Sequence, residues 1–181
     1  PSGVAAGVPA IAASSAVADA RIDAALRAAD LALSTHLQGT RPSLERCAVV
    51  AAVGAAPEAV AERARAEVDA GARLVKVKIE PGHDAAVLGA VLAAVDVPVA
   101  ADANGAYEEP AELAEVDDLG LAYLEQPFSA SLPMHRLAEM HEVMRTPIAL
   151  DESLTSLDAV RRAVRGAASV VSIKPARLGG V

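Results

Sequence analysis

Short aliphatic runs alternate with longer stretches of helical spacing along most of the chain. The aliphatic runs predict six β-strands, over residues 47–53, 74–79, 97–101, 121–124, 148–150 and 170–173. A helix is predicted after every strand but the last, over residues 57–70, 84–94, 109–119, 132–144 and 156–165. Strict alternation of helices with aliphatic strands is typical of a parallel sheet that helices cover. The pattern therefore predicts an α/β fold.

Before the first strand, apolar residues at helical spacing predict one helix over residues 19–37, ended by Gly39 and Pro42. Residues 1–18 carry no charge and have no basic start, so they fit neither a signal peptide nor a membrane helix. We expect the sequence to be part of a longer chain, because it begins without Met and ends soon after a strand-like run.

The composition limits the classes of partner and compartment. Hydrophobic residues make up 53% of the 181 residues and charged residues 22%, which is enough for a sizeable core. The net charge of −8 argues against nucleic acid and anionic membranes, because both are bound through excess Lys and Arg. The single cysteine, Cys47, excludes a disulfide within this sequence and predicts a reducing, cytoplasmic location. Because it stands in an aliphatic run, we expect Cys47 to be a small core residue.

The run LVKVKIEPG, residues 74–82, interrupts the aliphatic pattern with two lysines. In an extended strand Lys76 and Lys78 point to one face, whereas the aliphatic residues between them point to the other. Burying an unpaired ammonium group is costly, so such a strand requires acids or a bound anion opposite its lysines. The sequence supplies the acids at regular intervals.

Charged residues stand at the ends of the later strands. Lys78 lies near the end of the second predicted strand, and the next four strands are directly followed, at intervals of 23 to 26 residues, by Asp102, Glu125, Asp151 and Lys174. Because about one βα unit separates each pair, all five fall on the carboxyl edge of the sheet, where α/β active sites are built. A purely structural role as helix cap or solvated loop residue explains any one position, but not the coincidence of five.

Three carboxylates on adjacent strands repel one another unless a cation lies among them. Mg²⁺ takes oxygen ligands and keeps open positions for water or substrate. The sequence therefore predicts a Mg²⁺ site formed by Asp102, Glu125 and Asp151, with Mn²⁺ as a substitute ion, flanked by Lys78 and Lys174. An amine near a dication loses its proton more easily, as a catalytic base must.

Five motifs, in their order and spacing, are similar to those of the enolase superfamily, and within it to the muconate-lactonizing subgroup. They are KVK (76–78), DANGAY (102–107), LEQPF (124–128), LDES (150–153) and IKPARLGG (173–180). The similarity extends over roughly residues 16–181. The segment KIEPG (78–82) most resembles the o-succinylbenzoate synthases and the related N-succinylamino acid racemases, and muconate cycloisomerases and dipeptide epimerases match it less well.

The resemblance implies a (β/α)₇β barrel with an α+β capping domain. It assigns residues 1–40 to a remnant of the capping domain with its terminal helix, and residues 41–181 to an incomplete barrel of about six strands. It also implies that Lys78 removes the proton α to a carboxylate, while Lys76 and the metal stabilise the resulting charge. Asn104 is expected to support the metal site or the lysines.

The implied activity is that of a hydro-lyase, o-succinylbenzoate synthase, which eliminates water from a cyclohexadiene carboxylate in menaquinone biosynthesis. Lys174 would there stabilise the intermediate by a cation–π contact. The alternative is an N-succinylamino acid racemase or related epimerase, with Lys174 as the second acid/base. An inactive fragment that needs a partner chain, and a Schiff-base aldolase built on Lys78 or Lys174, are further alternatives. The expected partner is a small-molecule carboxylate, and a homo-oligomer is compatible with the sequence.

Overall fold

The computed structural model describes the backbone of residues 7–52 and 54–180, and the side chains from residue 13 onward within those ranges. The predicted end of the first strand, Val53, and the first six residues of the uncharged start lie outside the described residues. Within them, every helix falls short of a membrane span in length or in apolar character.

The described residues form two compact units. The first contains the chain up to Leu44, with Thr155–Leu157 and the segment from Ile173 onward. The second contains Glu45–Leu154 and Asp158–Ser172, and it holds the sheet.

The first unit contains the helices α1 (Gly7–Ala28), α2 (Leu33–His36) and α8 (Pro175–Leu178). The prediction of one helix over residues 19–37 is wrong, because the chain leaves the helix after α1. Asp30 adopts a left-handed backbone, with φ 51°, and the Leu31 amide donates to the Leu26 carbonyl at 2.9 Å. This hydrogen bond reaches one residue further along the chain than a helical one, and it ends the helix as a Schellman motif does. α1 also begins before residue 19, since alanine, the strongest helix former, is frequent in the uncharged tract.

Within the described residues, the second unit contains a six-stranded parallel sheet whose strands lie side by side in chain order. The strands are β1 (Cys47–Ala51), β2 (Leu74–Lys78), β3 (Val99–Asp102), β4 (Leu124–Glu125), β5 (Ile148–Leu150) and β6 (Val170–Val171). Right-handed connections in an unbroken strand order place the connecting helices on one face, as in a β/α barrel and unlike a doubly wound sheet. The predicted α/β fold with six parallel strands is confirmed.

Helices connect the successive strands, namely α3 (Pro57–Asp69), α4 (Asp84–Ala94), α5 (Ala114–Asp117), α6 (Met134–Val143) and α7 (Leu157–Arg162). The helix predicted over residues 109–119 is instead a 3₁₀ turn, Pro110–Leu113, followed by the single turn of α5. The Glu112 carboxylate accepts a hydrogen bond from the Glu109 amide at 2.7 Å, which fixes the start of this turn as a capping box does. After α7 the chain continues through Ala163–Ala167, where Gly166 leaves helical geometry with φ 156°.

β2 divides the sheet into two chemically different faces. Val75 and Val77 are fully buried in the aliphatic core, whereas Lys76 and Lys78 are only partly buried. This confirms the alternation predicted for the lysine run. The same core contains the buried side chains of Leu88, Leu113, Leu124 and Leu150.

Cys47 lies on the lysine face of the sheet, so the prediction of a core cysteine is wrong. In its strand only Ala48 and Val50 are buried, and Cys47 is exposed. The register pairs Val49 with Lys76, so β1 continues the lysine face. A run that is aliphatic at every position does not indicate which alternate residues face the core.

The carboxylate of Asp117, at the end of α5, accepts hydrogen bonds from the backbone amides of Arg145 at 3.0 Å and Thr146 at 2.7 Å. Although burial raises the pKa of this carboxyl, the bonds lower its pKa below the ordinary value. The carboxylate therefore stabilises the fold above the unfolded-state pKa, and this contribution is lost as the pH falls through the folded-state pKa. We expect Asp117→Asn to reduce the free energy of unfolding at pH 7 by about 1–2 kcal/mol, measured by urea denaturation.

The difference between wild type and Asp117→Asn should shrink as the pH is lowered from about 7 to about 3. The matched control is Asp118→Asn, whose carboxylate pairs with the Arg145 side chain and is 64% exposed. Its loss should change stability by only about 0.5 kcal/mol, as for other surface ion pairs. Equal losses from the two variants, or a difference independent of pH, would contradict the role given to Asp117.

Candidate active site

Charged residues end three neighbouring strands of the sheet. Lys78 is the last residue of β2, Asp102 of β3 and Glu125 of β4. The register pairs Lys78 with Asp102, and Asp102 with Glu125, so the three stand in a row at the carboxyl edge. Asp151 directly follows β5, the next strand of the sheet. The fold thus gathers four of the predicted site residues on one edge.

Lys76 lies two residues before Lys78 on the same face of β2, and it contacts two of the acids. Its Nζ donates to both carboxylate oxygens of Glu125 at 2.8 Å and lies 3.7 Å from Asp102 Oδ2. Burial lowers the pKa of Lys76, but the hydrogen bond to Glu125 and the charges of Glu125 and Asp102 raise it above its ordinary value overall. Lys76 is therefore held as an ammonium ion that neutralises buried acid.

Lys78 has a different environment. Its Nζ donates to Asp102 Oδ2 at 3.0 Å and to Asn104 Oδ1 at 2.5 Å. The Lys78 side chain is 40% exposed, compared with 15% for Lys76. An acid and an amide thus orient the Lys78 amine, and its nitrogen remains open to a small molecule at the rim of the sheet.

Asn104 lies in the loop after β3, and its side chain accepts a hydrogen bond from Lys78. Its backbone is left-handed, with φ 46°, a conformation that asparagine tolerates better than most residues. Its Nδ2 donates to Glu152 Oε1 at 2.9 Å, so its carbonyl oxygen is the atom that faces Lys78. Asn104 thus contacts Lys78, and its support of the metal site or the lysines stays a prediction.

Sequence reasoning missed Glu152, which follows Asp151 in the LDES motif. One of its oxygens receives the Asn104 bond, and the other, Oε2, is buried without a hydrogen-bond partner among the described residues. The adjacent acids of the motif were the only signal in the sequence, and an alternating pattern cannot show that two neighbouring acids serve different partners.

Tyr123, two residues before Glu125, is half-buried close to the acid cluster. Burial raises the pKa of its phenol, with smaller contributions from Cys47 and Glu125. It is therefore a neutral hydroxyl among charged groups. The sequence did not reveal it, because it stands inside a run that was assigned to a strand as a whole.

The three acids form one electrostatic cluster. Asp102, Glu125 and Asp151 are at most 4% exposed. Burial raises the pKa of Glu125, and the negative charges of Asp102 and Asp151 raise it further, against the opposing effect of Lys76. Glu125 thus experiences the unfavourable charge of the other two acids, which a bound cation would relieve.

The cluster fits Mg²⁺ in its chemistry, because its three buried carboxylates outnumber the two lysine side chains beside them and supply the oxygen ligands that this ion requires. Within the described part of the chain, no three His, Cys, Asp or Glu side chains are arranged so as to hold a metal ion as they stand. Lys76 instead bridges Glu125 and Asp102. The Mg²⁺ site of Asp102, Glu125 and Asp151 therefore stays a prediction.

Lys174 belongs to the first unit. It is an exposed residue that immediately precedes α8, three residues beyond the end of β6. The strand predicted over residues 170–173 is too long, because only Val170 and Val171 pair with β5. The role predicted for Lys174 stays a prediction.

A parallel β/α sheet in unbroken strand order, with lysines and buried acids at its carboxyl edge, is the architecture of barrel-type proteins whose sites lie at the strand ends. The family model described as Enolase C-terminal domain-like matches residues 59–181. The chain belongs to this family. The resemblance to the enolase superfamily that the motifs indicated is therefore confirmed.

Individual relatives agree with this assignment. The chain is 35% identical over 83% of its length to an o-succinylbenzoate synthase of Bacillus subtilis, and 44% identical over 61% of its length to an N-succinylamino acid racemase of Thermus thermophilus. It superposes over 82% of its length on the structure of a probable mandelate racemase from Alicyclobacillus acidocaldarius, with a TM-score of 0.73 and 37% identity. The chain spans less than half of each relative, namely 41%, 31% and 39%.

Proposed function

We propose that the chain carries the acid–base and metal-binding groups of an o-succinylbenzoate synthase, a hydro-lyase of menaquinone biosynthesis. The observation that carries the proposal is the arrangement of two lysines on buried acids, with Lys76 on Glu125 and Lys78 on Asp102 and Asn104. The similarity to proteins named o-succinylbenzoate synthase supports the same choice.

Lys78 is proposed to be the base that removes the proton α to the substrate carboxylate. It is the more exposed lysine of β2, so a substrate at the rim can reach its nitrogen. The neutral amine accepts the proton through its lone pair, and the ammonium that forms lies beside the Asp102 carboxylate and the Asn104 carbonyl oxygen. These two acceptors stabilise the charge that Lys78 gains.

Lys76 serves a different purpose, because its contacts with Glu125 and Asp102 keep it protonated. An ammonium group has no lone pair, so in this state Lys76 cannot act as a base. It can stabilise the negative charge that develops on the substrate as the proton leaves, and it does so from a preorganised position.

Mg²⁺ would be held by Asp102, Glu125 and Asp151, whose oxygens match its ligand preference. When bound, it would supply further stabilisation of negative charge on the substrate carboxylate. The elimination is completed when the C–O bond to the β-hydroxyl breaks and the electrons left by the α-proton form the new carbon–carbon double bond. Lys78 returns its proton to the departing hydroxyl, which leaves as water. The lysine is then a neutral amine again.

Racemisation of N-succinylamino acids is the second candidate, because relatives with that name match at 44% and 35% identity. The same proton abstraction by Lys78 would begin the reaction. Lys174 would then deliver a proton to the opposite face of the carbon, whereas in the synthase it would only stabilise the intermediate by a cation–π contact.

The two reactions are separated by offering each substrate to the chain with Mg²⁺, in D₂O, and following both by NMR. A synthase yields the aromatic product from the cyclohexadiene carboxylate, and a racemase incorporates deuterium at the α-carbon of an N-succinylamino acid. The complete reading frame is assayed beside the 181-residue chain. Activity of the complete frame alone would support the alternative that this segment needs further chain, and inactivity of both toward both substrates would refute the proposal.

A further inference from the structure

Gln126, the residue after Glu125, is fully buried and carries an unusual backbone. Its exposure is 0% and its φ is 40°, in the left-handed region that residues other than glycine rarely enter. Such a conformation costs about 1–3 kcal/mol and persists only where the surrounding contacts fix it. The contacts that hold Gln126 in this conformation therefore indicate its structural role.

The Gln126 side chain uses all of its hydrogen-bonding capacity. Its Oε1 accepts from the backbone amides of Asp151 and Ser153, both at 3.1 Å. Its Nε2 donates to the Phe128 carbonyl and to the Ser153 hydroxyl, both at 2.8 Å. One carboxamide thus ties the loop after β5 to the loop after β4.

The Gln126 backbone extends the same connection to both neighbouring strands. Its amide donates to the Ala149 carbonyl at 2.8 Å, and its carbonyl accepts from the Gly105 amide at 2.7 Å. A Cβ at Gly105 would lie 3.3 Å from Ser129 Cα, and Gly105 has φ 78°, so a glycine is required for this approach. Gln126 therefore links the loops after β3, β4 and β5.

We infer that Gln126 is a positioning residue for Asp151, and that it sets the affinity of the Mg²⁺ site; this inference rests on the proposed function. Asp151 is 1% exposed, and its backbone amide donates to the Gln126 carboxamide. Without the carboxamide, two buried amides of the loop would lose their acceptor, and the loop would relax to recover one. Mutation of a residue that orients a metal ligand typically weakens metal binding about 10–100-fold.

The test compares Gln126→Met with Ser153→Ala in the full 181-residue chain. Gln126→Met keeps the volume and removes all four side-chain bonds, whereas Ser153→Ala keeps both bonds from Oε1 to the loop amides. Calorimetric titration with Mg²⁺, well below the melting temperature, should show about 10-fold or greater weakening for Gln126→Met and at most about 3-fold for Ser153→Ala. Wild-type affinity in folded Gln126→Met would overturn the inference.

Hydrogen exchange without metal gives a second readout. The amides of Asp151 and Ser153 should lose protection in Gln126→Met by about 10-fold or more relative to wild type, and keep it in Gln126→Glu, which retains an acceptor for both. Unchanged exchange in Gln126→Met would also overturn the positioning role. If wild type binds no Mg²⁺, the proposed function fails, and the exchange result still decides whether Gln126 positions Asp151. If Gln126→Met does not fold, Gln126→Glu is compared with Gln126→Asn, whose shorter side chain should lose the protection.

Discussion

Replacement of Lys78 by methionine should reduce kcat/KM by about 10³-fold or more, whichever of the two proposed reactions the chain performs. Methionine has a similar reach and no basic nitrogen, so proton abstraction loses its acceptor. The fold should tolerate the change, because Asp102 keeps the Lys76 ammonium at 3.7 Å and the Lys78 side chain is 40% exposed. Steady-state kinetics and thermal unfolding of the same preparation measure the two effects.

Lys78→Arg is the matched control for charge. Arginine keeps a cation for the Asp102 and Asn104 acceptors but does not lose its proton in proteins, so it cannot serve as a base. Its activity should fall as far as that of Lys78→Met, while its stability stays within about 1 kcal/mol of wild type. An arginine variant with substantial activity would show that Lys78 acts through its charge and not as a base.

Lys76→Met should lose much more stability than Lys78→Met, in addition to any effect on catalysis. Lys76 donates to both oxygens of Glu125, which is 3% exposed, so the variant leaves a buried acid without its partner. Removal of one member of a buried ion pair costs about 3–5 kcal/mol, and the partial exposure of Lys76 places the expected loss in the free energy of unfolding near 3 kcal/mol. Denaturant unfolding without divalent ions measures it.

Mg²⁺ should restore part of this loss. In Lys76→Met the three acids lose the cation that pairs with Glu125, so the ion should stabilise the variant more than wild type, by about 1 kcal/mol at saturating concentration. Arg46→Met is the control, because it removes a partly exposed pair with Glu67 on the same sheet unit and should lose at most about 1 kcal/mol, with no added response to Mg²⁺. A Lys76→Met protein as stable as this control would show that the Lys76–Glu125 pair stabilises the fold no more than a surface ion pair does.

The sequence predicted the sheet and its charged edge because both depend on short-range periodicity. Alternation placed Lys76 and Lys78 on one face of β2, and the spacing of βα units placed Asp102, Glu125 and Asp151 at the ends of successive strands. The chain has only three lysines, and all three stand in the motifs that the resemblance used. These signals do not depend on tertiary contacts, so they survive in a single sequence.

The remaining features depend on contacts that spacing does not encode. Lys76 hydrogen-bonds to Glu125, two strands away, and lies farther from Asp102 on the adjacent strand, because its side chain is long enough to reach across β3. Cys47 was assigned to the wrong face because its run is uniformly apolar. Gln126 escaped notice because a neutral amide in a loop has no periodic partner, and its four side-chain bonds exist only after the loops are folded together.

The proposed function depends on Asp102, Glu125 and Asp151 acting together on one divalent ion at the carboxyl edge of the sheet. Its most direct test is calorimetric titration of Mg²⁺ into the wild-type chain and into Asp151→Asn, which keeps the size of the side chain and removes one anionic ligand. We expect saturable binding of a single ion to wild type and an affinity weaker by about 10-fold or more in the variant. Folded wild type that takes up no Mg²⁺, or equal binding by both proteins, would contradict it.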